Sequence, residues 1–194
     1  MIITKEKLKE VSGADFYDGS LIHERFAYKV MQKNINLLGN IVSFRAPMVV
    51  TDNLIDLEDS LNNDYIYSDD AINFCIEIPD ISLFAGVCFQ RLFMGQLAYK
   101  LSPLLNKPIT LDGDDVLVTV DDRQMKASVS IAAHKNDAVL IHAGINIEAG
   151  VRAPDFAFST KMTDEQATQF MEDAEEGFAY LLADIKLATS KVIV

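Results

Sequence analysis

The chain has 194 residues, of which 49% are hydrophobic and 24% are charged, and its formal net charge is -12. This composition is typical of a soluble globular protein with a sizeable core and excludes an intrinsically disordered chain. Seventeen basic residues against 29 acidic ones disfavour binding through phosphate charges, so we expect no nucleic-acid partner and no anionic membrane partner.

Targeting signals and disulfides are also not expected. No apolar run reaches the length of a membrane span, and the first residues lack the basic-then-apolar order of a signal peptide. Cys75 and Cys88 lie in apolar segments without metal-ligand spacing, so we expect two buried, reduced thiols in a cytoplasmic protein. No repeat or low-complexity linker divides the chain, and residues 1–194 are expected to form a single domain.

The N-terminal part of the chain predicts a helix between two strands. Residues 1–4 are expected to form an edge strand, and Ser20 is a suitable cap for a helix that runs to about residue 33. The apolar run 41–50 predicts a strand, interrupted by Arg45 and by Pro47. Arg45 is therefore either an ion-pair partner for nearby acids or a clamp for an anionic ligand, and the sequence leaves both alternatives open.

An acidic run follows, with seven acids and no basic residue between positions 52 and 70. Such a run is usually a solvated loop or helix face, and we prefer this reading to a metal site. If a divalent ion did bind, Asp56, Glu58 and Asp59 would be its first candidates. Residues 71–78 then predict a strand, and residues 81–101 predict a helix that Pro103 ends.

Residues 112–147 predict three successive strands, at 115–120, 125–133 and 138–147, joined by polar turns. In the second strand Lys126 and Ser128 alternate with small apolar residues. This spacing leaves room for a ligand, and the ammonium suits a carboxylate, phosphate or carbonyl oxygen. In the third strand His142 precedes Gly144. A lone histidine there is usually structural, but a neighbouring Lys126 would favour an acid–base or hydrogen-bonding role.

The last segment predicts a long helix, because Thr163 and Gln166 have the spacing of a capping box and an apolar stripe follows them. Asp115 opens the first of the three central strands, either as an orienter of Lys126 or as a simple polar strand start. The central strands follow one another through short turns. This order favours an α+β fold, with an antiparallel or mixed central sheet flanked by helices, over a parallel one.

The chain resembles an uncharacterised prokaryotic family, the domain-of-unknown-function family three-six-six. The resemblance runs in the same order along nearly the whole chain through the segments YDGS (17–20), FRAPM (44–48), DLED (56–59), QRL (90–92), GDD (113–115), KASVSIA (126–132) and IHAGINI (141–147). It implies the fold of biotin and lipoate protein ligases and of class II aminoacyl-tRNA synthetases.

Residues 115–147 also resemble the part of lipoate ligases and octanoyl transferases in which a lysine contacts the acyl carbonyl or the phosphate of an acyl-adenylate. This resemblance implies that role for Lys126, matches His142 and Gly144 to a histidine-glycine signature, and alone suggests ATP as a cofactor, which is otherwise unknown. The chain departs from these enzymes in two ways. No glycine run follows Arg45, and no cysteine follows Cys88, so a thioester route lacks its nucleophile.

The sequence therefore suggests a protein that binds a small anionic or acyl-bearing molecule, with activated-acyl or acyl-transfer chemistry if it is an enzyme. Lys126 and His142 are the candidate catalytic residues. The candidate ligand-binding residues are Arg45, Asp115, Ser128 and Gly144, and no metal is expected. The alternative is a non-catalytic ligand sensor or a dimer-forming module on the same fold, and a homodimer is compatible with either reading.

Overall fold

The computed structural model describes residues 1–22 and 25–193, except for the side chain of residue 33. Helices and strands are mixed along the chain, as the sequence predicts for an α+β protein. The helices are α1 (Lys5–Ser12), α2 (Phe26–Met31), α3 (Leu57–Asn62), α4 (Leu83–Leu105) and α5 (Asp164–Ser190). The strands are β1 (Asn40–Val50), β2 (Ile66–Pro79), β3 (Ile109–Asp112), β4 (Asp115–Val120), β5 (Arg123–Lys126), β6 (Ser128–Lys135) and β7 (Ala138–Glu148).

The strands form two sheets in which all neighbours are antiparallel. The larger sheet has the order β1-β2-β7-β6, and the smaller has the order β3-β4-β5. Helices α4 and α5 contribute the aromatic residues Phe93, Phe170 and Phe178 to a core that also holds Phe74 of β2. One face of the larger sheet is thus covered by the two long helices, and the other face packs against α1 and α2 in a second core that holds Leu8, Phe26 and Phe44.

The two long helices begin as the sequence predicts. Ser82 caps α4 by accepting from the Ala85 backbone N–H, and Thr163 and Gln166 form the expected reciprocal capping box at α5. The prediction that Pro103 ends α4 is wrong, because the helix continues to Leu105. A proline in the last turn removes one helical hydrogen bond, and Pro103 lies on the exposed side of the helix, where that loss is tolerated.

The predicted helix between residues 20 and 33 is interrupted rather than continuous. A 3₁₀ turn at Ser20–Ile22 precedes α2, and a second one at Gln32–Asn34 follows it. Arg25 has a left-handed backbone (φ 53°) at the start of α2, and its side chain forms an ion pair with the buried Glu77 of β2. A left-handed residue cannot lie inside a right-handed helix, so α2 begins only after Arg25. His23 lies outside the described residues.

The second predicted central strand is also divided, at the buried Ala127. Lys126 lies opposite Leu117 in the smaller sheet, whereas Ser128 lies opposite Ile145 in the larger one. The chain therefore passes from one sheet to the other within three residues, and Lys126 and Ser128 do not share a continuous strand face.

Smaller differences from the sequence predictions concern α1, β3, residues 1–4 and one cysteine. Helix α1 and strand β3 were not predicted, and residues 1–4 contribute only an isolated bridge from Ile2 to Ser43. Cys75 is buried as expected, but Cys88 is exposed on α4, so that prediction was wrong for one thiol. None of the helices in the described ranges combines the length and the apolar character that crossing a membrane requires.

Candidate functional site

A cavity of about 790 Å³ lies along β6, the edge strand of the larger sheet, where that sheet meets the end of β5. Its volume falls in the range of small-molecule sites. Its walls come from the acidic segment around α3, the start of β2, the first half of α4, strands of both sheets and the loop after β7. The polar and aromatic residues of its lining include Tyr17, Asp56, Glu58, Asp59, Asp64, Tyr65, Tyr67, Gln90, Arg91, Asp114, Asp115, Lys126, Ser128, Ser130, His142, Asn146 and Phe156.

Lys126 lies where the chain passes from the smaller sheet to the larger one. Hydrogen bonds hold its backbone in place. Its N–H donates to the Phe156 carbonyl (2.7 Å), and its carbonyl accepts from the Phe158 N–H (2.8 Å). The next residue, Ala127, is tied to the smaller sheet by a hydrogen bond from its N–H to the Val116 carbonyl (2.8 Å). The backbone around Lys126 is therefore held by the loop after β7 on one side and by β4 on the other, which suits a residue that must present its side chain reproducibly.

The ammonium of Lys126 pairs with Asp115, as the sequence suggested. Its Nζ lies 2.8 Å from Asp115 Oδ1, and about a third of each side chain is exposed. Because Lys126 faces Leu117 across the antiparallel pair, Asp115 is its diagonal neighbour on the same face, within reach of a long side chain. Both side chains line the cavity.

Ser128 also lines the cavity, but its hydroxyl has a structural partner. The Val116 N–H donates to Ser128 Oγ (2.8 Å), so the hydroxyl takes the place of a backbone acceptor where β4 loses its neighbour β5. Ser130 similarly accepts from Gln90 Nε2 of α4 (2.6 Å). Both hydroxyls therefore have structural roles: Ser128 joins β6 to β4, and Ser130 joins β6 to α4.

His142 lies on β7 in the cavity wall and is fully buried. Its ring stacks on Tyr17, with centroids 3.7 Å apart, and its Nε2 lies 3.0 Å from Asn73 Oδ1. The Asn73 amide nitrogen donates to the carbonyls of Ala46 and Ala71, which leaves Oδ1 as the acceptor for an Nε2–H. Burial lowers the pKa of His142 to about 3, so the ring is neutral near pH 7.

Asn146 is a cavity residue that the sequence reasoning missed. It lies four residues after His142 on the same face of β7 and is 4% exposed, and its Oδ1 has no hydrogen-bond partner among the described residues. Buried polar atoms in native proteins are nearly always satisfied, so this acceptor requires an explanation. An asparagine inside the apolar run 138–147 was the signal that could have drawn attention to it.

The acidic segment forms one wall of the cavity. Asp56 caps α3 by accepting from the backbone N–H groups of Glu58 and Asp59, so part of its acceptor capacity is used. Burial, together with the charges of Asp56 and Asp64, raises the pKa of Asp59, and Lys126 opposes this shift. Within residues 1–22 and 25–193 no group of three histidine, cysteine or acidic side chains could hold a metal ion.

Arg91 and Asp114 form a second ion pair in the cavity wall, with Arg91 Nη1 2.7 Å from Asp114 Oδ1. Burial raises the pKa of Asp114, and the guanidinium of Arg91 opposes that shift. Gln90 Nε2 also donates to Asp114 Oδ2 (3.0 Å). The two basic residues of the cavity are thus each matched by an adjacent carboxylate.

Arg45 and Gly144 are not brought to this cavity. Arg45 binds Asp70 through Nε and Nη2 (2.9 and 2.6 Å) and Asp164 through Nη1 (2.5 Å), so the structure favours its ion-pair reading over an anion clamp. Gly144 makes room for packing instead: a Cβ at this position would lie 2.7 Å from Met48 Sδ. The structure therefore brings together Lys126, Asp115, Ser128 and His142 from the predicted set.

Solved structures show the same fold. A protein of unknown function from Pyrococcus horikoshi has a TM-score of 0.78 and 25% identity to the chain, with 92% of the chain and 93% of that protein covered. A protein of T. acidophilum proposed to be a lipoate protein ligase, with bound lipoic acid, has a TM-score of 0.55 and 12% identity, with coverage of 84% and 80%. The lipoate-ligase-like fold predicted from the sequence is therefore confirmed.

Sequence comparison identifies the family. An uncharacterised protein of Methanocaldococcus jannaschii is 31% identical over 140 residues, which span 69% of the chain but 59% of that relative's length. Residues 7–193 match the family described as Domain of unknown function (DUF366). The chain belongs to that family, as its sequence segments indicated.

Proposed function

We propose that the cavity beside Lys126 binds a small acyl-bearing molecule, with an acyl oxygen held by the Lys126 ammonium. The observation that carries this proposal is the placement of Lys126 Nζ in the wall of a 790 Å³ cavity, on a backbone held from both sides. The bound lipoic acid of the T. acidophilum protein is consistent with a ligand of this class, although that likeness concerns the fold alone.

The ion pair with Asp115 leaves Lys126 able to bind a ligand. An ammonium has three N–H donors, and the contact with Asp115 Oδ1 uses one of them. The carboxylate fixes the direction of the ammonium at the same time. A charge-assisted hydrogen bond to a carbonyl or carboxylate oxygen contributes about 1.5–3 kcal/mol. Loss of this hydrogen bond would therefore weaken the binding of a small ligand by roughly tenfold or more.

His142 is better suited to shape the site than to transfer a proton. A group with a pKa of about 3 is a weak base near pH 7, and Nε2 is already engaged with Asn73. Stacked on Tyr17, the ring forms a rigid part of the wall. The acid–base role suggested from the sequence is thus the less favoured of its two alternatives.

Activated-acyl chemistry with ATP is the candidate reaction, and ligand sensing without chemistry is the alternative. Release of pyrophosphate from ATP in the presence of lipoate or hexanoate would support the first. Binding of these acids without pyrophosphate release would support the second. In both cases the acyl oxygen is expected at Lys126, so the binding test comes first.

The test is a calorimetric titration of the protein with hexanoate and with lipoate. Lys126→Met should weaken binding by roughly tenfold or more, because it removes the charge-assisted donor. Its effect on the melting temperature should be small, since the pair with Asp115 is about a third exposed and such pairs contribute at most about 1 kcal/mol. Lys186→Met, on the exposed side of α5, is the matched control. Unchanged affinity in Lys126→Met would refute the proposal.

We also propose a homodimer through α4, on the basis of its exposed stripe of Phe84, Cys88, Leu92 and Tyr99. Phe84 and Tyr99 are 80% and 82% exposed, and the helix contains two charged residues, of which Arg91 is ion-paired. Interface cores are depleted in charge and rich in aromatic residues. A second copy that carries the same stripe is the occupant that this uncharged surface suits best.

The area of the stripe is consistent with this occupant. Aromatic side chains bury about 150–250 Å² each, so the stripe would supply roughly half of the ~800 Å² per partner of a standard interface. Sedimentation should give a dimer for the wild type and a monomer for Leu92→Glu. The substitution Leu187→Glu, at an exposed leucine of α5, should leave the dimer intact. A monomeric wild type at high micromolar concentration would refute the dimer.

A further inference from the structure

We infer that the ligand of the cavity carries a positively charged amine in addition to its acyl oxygen. This inference rests on the proposed function, because it concerns the same cavity, and it names the chemical class of the ligand as an amino-acyl compound. Three observations support it independently of Lys126: the charge balance of the walls, the unsatisfied acceptor of Asn146 and the aromatic lining.

The charges on the cavity walls do not cancel. Lys126 and Arg91 are each paired with one carboxylate, as described above. Among the described residues that line the cavity, four further acids lie outside these two ion pairs, although the charge of Lys126 also acts on Asp59. These are Asp56, Glu58, Asp59 and Asp64. All four lie in or next to α3 and therefore form one acidic wall.

A purely anionic ligand would be repelled by this wall. Its single attractive contact at Lys126 would compete with the like charges of this wall. A ligand that also carries an ammonium could instead pair with the acidic wall, where burial and the charges of Asp56 and Asp64 raise the pKa of Asp59. The local charge thus favours a ligand that is positive at one end.

Asn146 gives the second indication. Its Oδ1 is a buried acceptor without a partner in the described part of the chain, and the side chain lines the cavity. An acceptor is satisfied only by a donor. The N–H groups of an amine can donate to it, whereas a carboxylate or a carbonyl cannot. Leaving such an atom unsatisfied costs about 1–3 kcal/mol, so a donor on the ligand would be strongly favoured.

The aromatic lining is the third indication. Tyr17, Tyr65, Tyr67 and Phe156 contribute to the walls. The face of an aromatic ring attracts cations, and aromatic pockets recognise organic ammonium groups. Tyr67 already has a cation over its ring, with Arg152 Cζ 3.9 Å from the centroid. Aromatic rings and carboxylates together form the surroundings that an alkylammonium group prefers.

The test uses three probes of equal chain length: hexanoate, hexylamine and 6-aminohexanoate. In calorimetric titrations 6-aminohexanoate should bind at least tenfold more tightly than hexanoate. Hexylamine should also show saturable binding. Hexanoate should be the weakest of the three, because it offers neither a charge to the acidic wall nor a donor to Asn146.

Two variants examine the amine end separately. Asp59→Asn removes one charge from the acidic wall at a partly exposed position, where little effect on folding is expected. Asn146→Leu removes the unsatisfied acceptor and keeps the branching and the number of heavy atoms of the side chain. Each should weaken 6-aminohexanoate by roughly fivefold or more, and neither should weaken hexanoate. Asp52→Asn, at an exposed acid outside the cavity wall, is the matched control.

The outcomes separate this inference from the proposed function. Equal binding of hexanoate and 6-aminohexanoate, with both dependent on Lys126, would overturn the amine and leave the proposed function standing. Tight binding of 6-aminohexanoate that is unaffected by Lys126→Met would support the amine and overturn the acyl contact. Displacement of 6-aminohexanoate by micromolar Mg²⁺ or Ca²⁺ would assign the acidic wall to a metal and overturn the amine. Absence of binding by all three probes would overturn both.

Discussion

The buried imidazole of His142 makes a quantitative prediction about stability. Burial lowers its pKa from about 6.5 to about 3 in the folded protein. Between these values the unfolded chain binds one more proton than the folded chain, so the free energy of unfolding must fall as the pH falls. One pKa unit corresponds to about 1.4 kcal/mol, which gives this residue a loss of roughly 2 kcal/mol between pH 7 and pH 5.

The loss can be isolated with the variant His142→Phe, which keeps an aromatic ring against Tyr17 and does not titrate. Buried carboxylates with raised pKa values, such as Glu77 and Asp114, act in the opposite direction, because their contribution to stability improves at lower pH. They are present in both proteins and cancel in the comparison. The predicted quantity is therefore the difference between the two pH dependences, not the slope of the wild type.

Urea unfolding at pH 7 and at pH 5 measures this difference. The wild type should lose roughly 2 kcal/mol more than His142→Phe over this interval, whatever the absolute stability of the variant. His134→Phe, at an exposed histidine of β6, should retain the wild-type pH dependence. Parallel curves for wild type and His142→Phe would mean that the imidazole is protonated inside the folded protein, and the reasoning about its burial would be refuted.

Three further predictions concern the two cysteines, Gly144 and Arg45. Iodoacetamide should alkylate Cys88 of the folded, monomeric Leu92→Glu variant and spare Cys75, since Cys88 is exposed on a single chain and burial raises the pKa of the Cys75 thiol; mass spectrometry showing two labels would contradict this. Gly144→Ala should lower the free energy of unfolding by about 1–3 kcal/mol, because its methyl group would crowd Met48, and Met48→Ala should restore part of the loss; additive losses in urea unfolding would exclude that contact. Arg45→Met should lower the free energy of unfolding by about 1 kcal/mol and leave the ligand affinity unchanged. A tenfold loss of ligand affinity in titration would place Arg45 in the binding site.

The elements with strong local signals were predictable from the sequence. β7 is a long apolar run, α4 has apolar residues at helical spacing after a cap, and the capping box of α5 is explicit in Thr163 and Gln166. The α+β class followed from the order of these elements. In each case the signal lies within the element itself, so no knowledge of the neighbouring segments was needed.

Features that depend on distant partners were not predictable in the same way. Alternation from Met125 to Ala133 is compatible with one strand, and nothing in it reveals that Lys126 and Ser128 pair with different sheets. Arg45 and Lys126 are both basic residues at strand positions, and their different roles depend on which carboxylates the fold brings near. The unsatisfied oxygen of Asn146 exists only once the fold has formed.

A crystal structure of the protein soaked with 6-aminohexanoate tests the central claim most directly. The account predicts density in the cavity, with a carboxylate oxygen within hydrogen-bond distance of Lys126 Nζ and the amine directed to the side of Asn146 and Asp59. An empty cavity at saturating probe concentration, or a Lys126 ammonium that points to bulk solvent while the probe binds elsewhere, would contradict it.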